Sequence, residues 1–383
     1  MQITGYELFA VPPRWLLLRL ETSDGLVGWG EPIVPGRLKT TRAAVSELVE
    51  GYLVGEDPRR IGYHWRTMYQ GGYYRGGPVL MSALSGIDQA LWDITGKHHD
   101  CPVYDLLGGH VRDRILVHQW VGGANPSDVA TSAADRTDQG YRALKMNATS
   151  EFRPLEPPGA VDRAVERVAA VRDAVGEECL LGVDFHGRVS QQMAITLARR
   201  LEPYGLMFVD QPVGPEYTEH LAHVQARTSI PVSTGERHYS RYDFKSLFVA
   251  DAVSVVQPNV THVGGITGLR NIATMAEAFD VAVVPHSPLS PVSFAASLQA
   301  AFCTHNVVMQ EQDLSLHDPE RSIGLEYLSD PSTFEFENGY VSRPTGPGLG
   351  IEVDEAYVRE RAEADVNWHN PVWHHEDGSV AEW

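Results

Sequence analysis

The stretch LGVDFHGRVS, Leu181 to Ser190, places an aspartate and a histidine directly behind a short apolar run. Asp184 and His186 are two residues apart, so on a strand both side chains point to the same face. One polar strand end does not distinguish a solvated loop from half of an active site. A repeat of the arrangement at matching places along the chain would favour an active site.

The arrangement repeats over most of the chain. From residue 114 onward, short apolar runs alternate with segments of helical periodicity. Eight such runs occur, at 115–123, 143–147, 180–186, 206–212, 231–236, 252–259, 281–287 and 306–312. Strands alternating with helices predict a parallel sheet, and eight units are the number that closes a TIM-type (β/α) barrel. A doubly wound open sheet is the alternative, but the even spacing favours closure.

Residues 1–113 have a different pattern. The runs ITGYELFAV and WLLLRLETSDGLVGWGEP alternate as antiparallel strands do, with a hairpin turn at TSDG. The later segment PVLMSALSGIDQALWDITG is typical of a long buried helix. We therefore predict an α/β protein with an N-terminal α+β capping domain over 1–113 and a barrel domain over 114–320.

Polar residues of catalytic type follow the later apolar runs. They are Lys145, Asn147, Asp184, His186, Asp210, Glu236, Asn259, His286 and Glu311. The steps from Asp184 through Asp210, Glu236, Asn259 and His286 to Glu311 are 26, 26, 23, 27 and 25 residues, the length of one β/α unit. Because the carboxyl ends of barrel strands converge on one mouth, we expect these side chains to share one site.

Three carboxylates on successive strands predict a metal site. Asp184, Asp210 and Glu236 would converge in a partly dry cavity, which is costly unless a cation is bound. Oxygen ligands with open coordination positions suit Mg²⁺ better than zinc. One such carboxylate could equally be a rim ion pair, but three in strand order favour one Mg²⁺ per active site.

The remaining strand-end residues have two interpretations each. His186 and His286 lie on either side of the carboxylates in strand order, which favours an acid and a base over structural histidines. Glu311 would be a salt-bridge partner or, with a raised pKa, a hydrogen-bond donor to the substrate. Lys145 would anchor a substrate carboxylate or balance the charge of the ligands.

Composition excludes several classes of function. The net charge of −19 argues against nucleic acid or an anionic membrane as partner. The chain has neither a run of about 18 apolar residues nor a start typical of a secretory signal, which predicts a cytoplasmic protein. No glycine-rich phosphate-binding motif follows a strand, so a dinucleotide or P-loop function has no support.

Several motifs resemble those of one family. GWGEP, DFHGRVS, PHSPL, QEQ and the tail NPVWHHEDGSVAEW, with the carboxylates on the third to fifth barrel strands, resemble the enolase superfamily, mandelate racemase subgroup, and within it the D-galactonate dehydratases. The resemblance covers nearly the whole chain. It implies that residues 321–383 pack back on the capping domain and complete it. It also implies a homo-oligomer, often an octamer in that family.

The resemblance implies a hydro-lyase reaction on a small acid sugar. His286 would remove the C2 proton of an aldonate, His186 would protonate the departing 3-hydroxyl, and an enediolate would give a 2-keto-3-deoxy acid. The metal, Lys145 and Asn147 would hold the carboxylate. Specificity contacts are expected from capping loops at 12–15, 35–37 and 73–77. An epimerase or cycloisomerase acting through the same enediolate is the alternative.

Two positions depart from that family's pattern. Where the family has Glu-Glu-Pro on the fourth barrel strand, this chain has Asp210-Gln211-Pro212, and the aspartate is shorter by about 1.5 Å. Where an aspartate pairs with the histidine of the seventh strand, this chain has Asn259. An amide orients the ring but supplies no charge, so we expect a less basic His286. A relative of low or no dehydratase activity is therefore a further alternative.

Overall fold

The structure is a computed structural model that describes residues 1–149, 152–318, 322–362, 366 and 368–382. Within those ranges, no helix is both long enough and apolar enough to cross a membrane. The described chain forms an N-terminal sheet with its helices, a closed barrel, and a C-terminal segment that contacts both.

In the part of the chain that the structure describes, the N-terminal sheet has three antiparallel strands in sequence order, β1 (Ile3–Val11), β2 (Trp15–Thr22) and β3 (Val27–Gly30). The predicted TSDG hairpin is confirmed, since Gly25 has φ +81° and donates its N–H to the Thr22 carbonyl at 3.0 Å. The helices of this part are α1 (Leu38–Tyr52), α2 (Ile61–Gln70), α3 (Gly77–His98) and α4 (Val103–Leu106).

Two glycines let the long helix α3 lie close to the sheet. A Cβ atom on Gly30 would sit 2.0 Å from the carbonyl oxygen of Gly86, so β3 and α3 touch backbone to backbone. Most of α3 is buried as a result, including Leu84, Ile87 and Leu91. The prediction of an antiparallel sheet followed by a long buried helix is confirmed.

Within the described residues, eight parallel strands form the barrel, and each predicted run overlaps one of them. They are β4 (Arg114–Val121), β5 (Ala143–Asn147), β6 (Leu180–Asp184), β7 (Phe208–Asp210), β8 (Val232–Thr234), β9 (Val255–Val256), β10 (Ala282–Val283) and β11 (Gln310–Glu311). Neighbours in sequence pair in parallel from β4 to β10. β11 pairs with β4, and a bridge between Val283 and Val307 completes the circle. The predicted TIM-type barrel is confirmed.

Helices cover the outside of the barrel, so its strands are apolar on both faces. They are α5 (Pro126–Asp138), α6 (Pro158–Val175), α7 (Gln191–Leu201), α8 (Thr218–Gln225), α9 (Arg241–Val249), α10 (Gly265–Glu277) and α11 (Pro291–Phe302). Val183, Val209, Val232 and Val256 on four successive strands are fully buried. This apolar body positions the polar residues that follow each strand.

The C-terminal segment contacts both parts of the molecule. The hairpin β12 (Phe336–Glu337) and β13 (Tyr340–Ser342) pairs antiparallel with the start of β4. α12 (Glu355–Arg361) is linked to β1 by a 2.9 Å hydrogen bond from Arg359 to Glu7. The domain boundaries at 113/114 and 320/321 stay predictions, and the second lies outside the described residues.

Candidate active site

The three predicted metal ligands lie at adjacent strand ends. Asp184 ends β6 and pairs in register with Asp210, which ends β7. Glu236 follows the end of β8 by two residues. The ladder continues past the strands, because Phe185 donates its N–H to the Asp210 carbonyl at 2.9 Å. The repeat in the sequence therefore brings these side chains to one mouth of the barrel.

Asp184 and His186 meet by a turn and not by strand alternation. The prediction that β6 extends to residue 186 is wrong, since the strand ends at Asp184 and His186 has φ +51°. The Asp184 carboxylate holds this turn by accepting the His186 backbone N–H at 2.7 Å. A left-handed residue other than glycine costs about 1–3 kcal/mol, and such residues are concentrated at functional sites.

Lys145 lies beneath the carboxylates as their counter-charge. Its side chain is fully buried, with Nζ 2.9 Å from Asp184 Oδ2 and paired also with Asp210. Burial disfavours the charged amine, but Asp184 and Asp210 outweigh it and raise the pKa of Lys145 well above its usual value. Burial likewise raises the pKa of Asp184, but Lys145 and His186 outweigh it, so the net shift is downward. Of the two interpretations of Lys145, charge balance fits this position.

The three carboxylates concentrate negative charge that a bound hard cation would offset. Burial, with Asp184 and Glu236 nearby, raises the pKa of Asp210 to about 7. Oδ1 of Asp210 is buried without a hydrogen-bond partner in the described chain. Anionic oxygens at adjacent strand ends suit a divalent ion. Among the residues that the structure describes, no three His, Cys, Asp or Glu side chains form a ready-made metal cage. A cation would compete for these oxygens with Lys145 and with His286, whose Nε2 lies 2.8 Å from Glu236.

An asparagine holds His286 from the neighbouring strand. Nδ2 of Asn259 lies 2.9 Å from Nδ1 of His286, while Oδ1 of Asn259 accepts the Thr261 backbone N–H at 2.8 Å. Because the backbone N–H fixes the amide oxygen, the amide nitrogen must face the ring. The hydrogen-bond network therefore assigns Nδ1 of neutral His286 as acceptor and places its proton on Nε2.

An asparagine amide contacts His186 in the same arrangement. Nδ2 of Asn147 lies 2.8 Å from its Nδ1, and Oδ1 of Asn147 accepts the Thr149 backbone N–H at 2.8 Å. A carboxylate is also close, since Oδ1 of Asp184 lies 3.1 Å from the same Nδ1. Asn147, predicted to bind substrate, thus contacts a predicted catalytic histidine.

Two glutamates supply the charge beside His286. Burial lowers the pKa of this ring, but Glu236 and Glu311 outweigh it and raise the pKa to about 9. The expectation that His286 is less basic than with an aspartate at position 259 stays a prediction. Glu311 is itself buried, and its two oxygens accept hydrogen bonds from Trp120 at 2.7 Å and the Ser287 N–H at 3.1 Å.

The charges around Glu311 distinguish its two interpretations. Burial raises its pKa, but His286 and Lys145 outweigh burial, so the pKa of Glu311 lies below its usual value. An ionised carboxylate accepts hydrogen bonds and does not donate them. A donor role would need a raised pKa and does not fit this carboxylate, whereas the salt-bridge role fits, since Oε2 lies 3.8 Å from Nε2 of His286. Contact between Glu311 and a substrate stays a prediction.

A cavity of about 360 Å³ opens above these residues. His186, Glu236, Asn259 and His286 line it, whereas the other predicted residues are not among its described lining. From the three expected capping loops, Arg14 and Pro35 line the cavity, but no residue of the loop at 73–77 does. A volume of this size suits a small organic ligand.

The comparisons with known proteins cover the whole chain. Residues 12–108 match the mandelate racemase / muconate lactonizing enzyme N-terminal domain, and residues 128–357 match the enolase C-terminal domain-like family. The chain belongs to the enolase superfamily. The predicted superfamily and its mandelate racemase subgroup are therefore confirmed.

Individual members of the enolase superfamily match over their full length. D-galactonate dehydratases from Ralstonia nicotianae and Verminephrobacter eiseniae are 48% and 47% identical to this chain over 383 residues, which is 100% of each protein. The structure of an enolase from Agrobacterium radiobacter, bound to Na and L-malate, has a TM-score of 0.91 at 29% identity, with both chains covered completely. The similarity thus includes the capping region, the barrel and the C-terminal segment.

Several residues of this enolase-superfamily site were missed by sequence reasoning. Arg237, next to Glu236, lines the cavity and donates to Gln211 at 2.9 Å and to the His186 carbonyl at 3.2 Å. Trp368 and Asn370 of the C-terminal segment also line the cavity. Adjacency to Glu236 could have indicated Arg237, whereas the two tail residues follow no strand and carry no periodic signal.

Proposed function

We propose that this member of the enolase superfamily is a Mg²⁺-dependent dehydratase that removes water from an aldonate, with D-galactonate the leading candidate. The observation that carries the proposal is the placement of His186 and His286 on one cavity, beside Glu236 and above two buried aspartates. Full-length similarity to named D-galactonate dehydratases supports the class, a carbon–oxygen lyase. The product would be a 2-keto-3-deoxy sugar acid.

Asp184, Asp210 and Glu236 would hold the metal ion. Oδ1 of Asp210, which has no hydrogen-bond partner within the described residues, and the anionic oxygen donors fit Mg²⁺. When bound, Mg²⁺ supplies a positive charge that polarises the substrate carboxylate and makes the C2 proton more acidic. The buried ammonium of Lys145 would offset the remaining negative charge of the two aspartates.

The two histidines would move the protons. His286 would take the proton from C2, leaving an enediolate, and His186 would give its Nε2 proton to the 3-hydroxyl as the C3–O bond breaks. The C2–H and C3–O bonds are lost, a C2=C3 double bond forms, and water leaves. The enol then takes up a proton at C3 and becomes the 2-keto-3-deoxy acid. Burial lowers the pKa of His186, but Asp184, 3.1 Å from Nδ1, outweighs burial and raises it, which favours the protonated ring that the acid role needs.

One observation favours the low-activity alternative. Asn259 donates to Nδ1 of neutral His286, so the proton of the ring lies on Nε2. Nε2 can accept a proton only if the Asn259 amide rotates by 180° so that its oxygen faces Nδ1. That rotation leaves the Thr261 N–H unpaired. An unpaired buried N–H costs about 1–3 kcal/mol. Proton abstraction would then be slower than with an aspartate at this position, yet still present.

A screen of acid sugars tests the proposed function. Purified protein with Mg²⁺ is incubated with D-galactonate and other six-carbon aldonates, and 2-keto acid is measured. We expect 2-keto acid from at least one aldonate, with loss of activity after chelation of the metal. Glu236→Gln serves as the control, since it removes a proposed ligand charge. Absence of 2-keto acid from every aldonate would contradict the proposal.

A further inference from the structure

The C-terminal tail, residues 368–382, is attached to the loops that carry the proposed catalytic residues. Arg237, which follows Glu236, pairs with Glu382 at 3.1 Å. Arg188, two residues after His186, lies under the Trp373 ring with 4.8 Å from Cζ to the ring centroid. The tail folds on itself through a bridge between His374 and Val380. These contacts fix the tail against the mouth of the barrel.

The beginning of the same tail reaches into the cavity. Trp368 and Asn370 line it together with Glu236 and His286. The Trp368 ring stacks on the guanidinium of Arg14 from the β1–β2 loop, 4.8 Å from Cζ to centroid. A Cβ atom on Gly36 would lie 3.2 Å from Oδ1 of Asn370, so the capping loop and the tail meet here. Tail and capping loops therefore form one wall over the strand-end residues.

This wall is placed to contact the part of the substrate that does not react. The reacting carboxylate, C2 and C3 must lie by the histidines and carboxylates, so a longer sugar chain extends away from the strand ends. An aromatic face packs on the C–H groups of a polyol, and an amide both donates to and accepts from hydroxyls. Trp368 and Asn370 provide these two groups on the wall.

We propose that the C-terminal tail determines specificity, with Trp368 packing on the C–H groups and Asn370 hydrogen-bonding the hydroxyl groups of the acid sugar beyond C3. This inference rests on the proposed acid-sugar site. It adds a second source of specificity to the capping loops. It also gives a role to the sequence NPVWHHEDGSVAEW, to which the proposed chemistry assigns none.

Binding of a long and a short acid sugar tests the inference. D-Galactonate carries hydroxyls beyond C3, whereas D-glycerate has only the reacting carbons. Dissociation constants are measured by calorimetry with Mg²⁺ in a His286→Asn background, so that the long probe is not consumed. We expect Trp368→Ala and Asn370→Ala each to weaken D-galactonate binding about tenfold, the loss of one hydrogen bond or apolar contact. D-Glycerate binding should change less than twofold.

Val372→Ala is the matched control. Val372 lies in the same tail, is 66% exposed and does not line the cavity, so both dissociation constants should stay unchanged. Equal effects on the two probes, no effect on either, or no binding of any six-carbon aldonate would overturn the inference. Tail-dependent binding of D-galactonate, together with no 2-keto acid from the wild type, would overturn the proposed function alone. Melting temperatures within about 2 °C of the parent would show that the variants are folded.

Discussion

The two histidine ends of the site share a geometry and differ in the charge beside Nδ1. In each, an asparagine lies 2.8 or 2.9 Å from Nδ1 while its oxygen accepts a backbone N–H two residues onward. Beside His186, Asp184 lies 3.1 Å from Nδ1, whereas within the described chain Nδ1 of His286 contacts Asn259.

This difference bears on which histidine can act as a base. A carboxylate beside Nδ1 lets the ring carry its proton there and leaves Nε2 free to accept another. A donating amide places the proton on Nε2 instead. We propose His286 as the base, although its neighbour Asn259 suits that role less than the carboxylate beside His186 would.

The largest expected effect comes from removing each histidine in turn. General acid–base groups contribute about 10²–10⁴-fold, so His286→Asn and His186→Asn should each lose dehydration by that order. The two variants should differ in the first step, abstraction of the C2 proton. This step is measured as exchange of the C2 proton with D₂O. His186→Asn should retain exchange at C2, because the base is intact. His286→Asn should lose it, and the reverse pattern would show that the two roles are exchanged.

A smaller effect is expected from restoring a carboxylate at the His286 end. Asn259→Asp would accept the Nδ1 proton while keeping the Thr261 N–H paired, which removes a cost of about 1–3 kcal/mol. We expect proton abstraction from C2 to become about tenfold faster or more, measured as the initial rate of C2 exchange. Asn147→Asp is the matched control and should give no gain, because Asp184 already lies beside His186. Equal gains in the exchange rate from both substitutions, or no gain from Asn259→Asp, would contradict the proposed difference between the two histidine ends.

The smallest effect on activity is expected from Glu31, which supports the His286 end from the capping region. Glu31 accepts the N–H of Ser290 at 3.1 Å, and burial raises its pKa to about 7 despite that bond. Between pH 4.5 and 7 the folded state holds this proton and the unfolded state does not. Stability from this group is therefore complete at acidic pH, falls as pH rises toward 7, and is constant above.

Glu31→Gln isolates that dependence. The variant cannot ionise, so its melting temperature relative to the wild type should rise between pH 5 and pH 8 by about 1 °C for each kcal/mol involved. Activity at pH 8 should change little. A difference between the two proteins that is independent of pH would contradict a buried, protonated Glu31.

Much of the site could be predicted because the barrel makes it periodic. Residues spaced by about one β/α unit, such as Asp184, Asp210 and Glu236, must meet where parallel strands end. The turn at His186 could not be predicted, because the backbone hydrogen bond to Asp184 that makes it is not visible as a pattern. The pKa of Glu311 depends on which charges surround it in space. Trp368 and Asn370 reach the cavity through long-range packing and not through a repeat.

The most direct test follows D-galactonate, Mg²⁺ and the wild-type protein in D₂O by proton NMR. We predict that the signal of the substrate disappears as that of a 2-keto-3-deoxy acid grows in equal amount, and that chelation of the metal stops the reaction. Recovery of all the substrate with deuterium at C2 and no 2-keto acid would contradict dehydration and indicate an epimerase. Recovery of D-galactonate without deuterium would contradict proton abstraction by this site from that substrate.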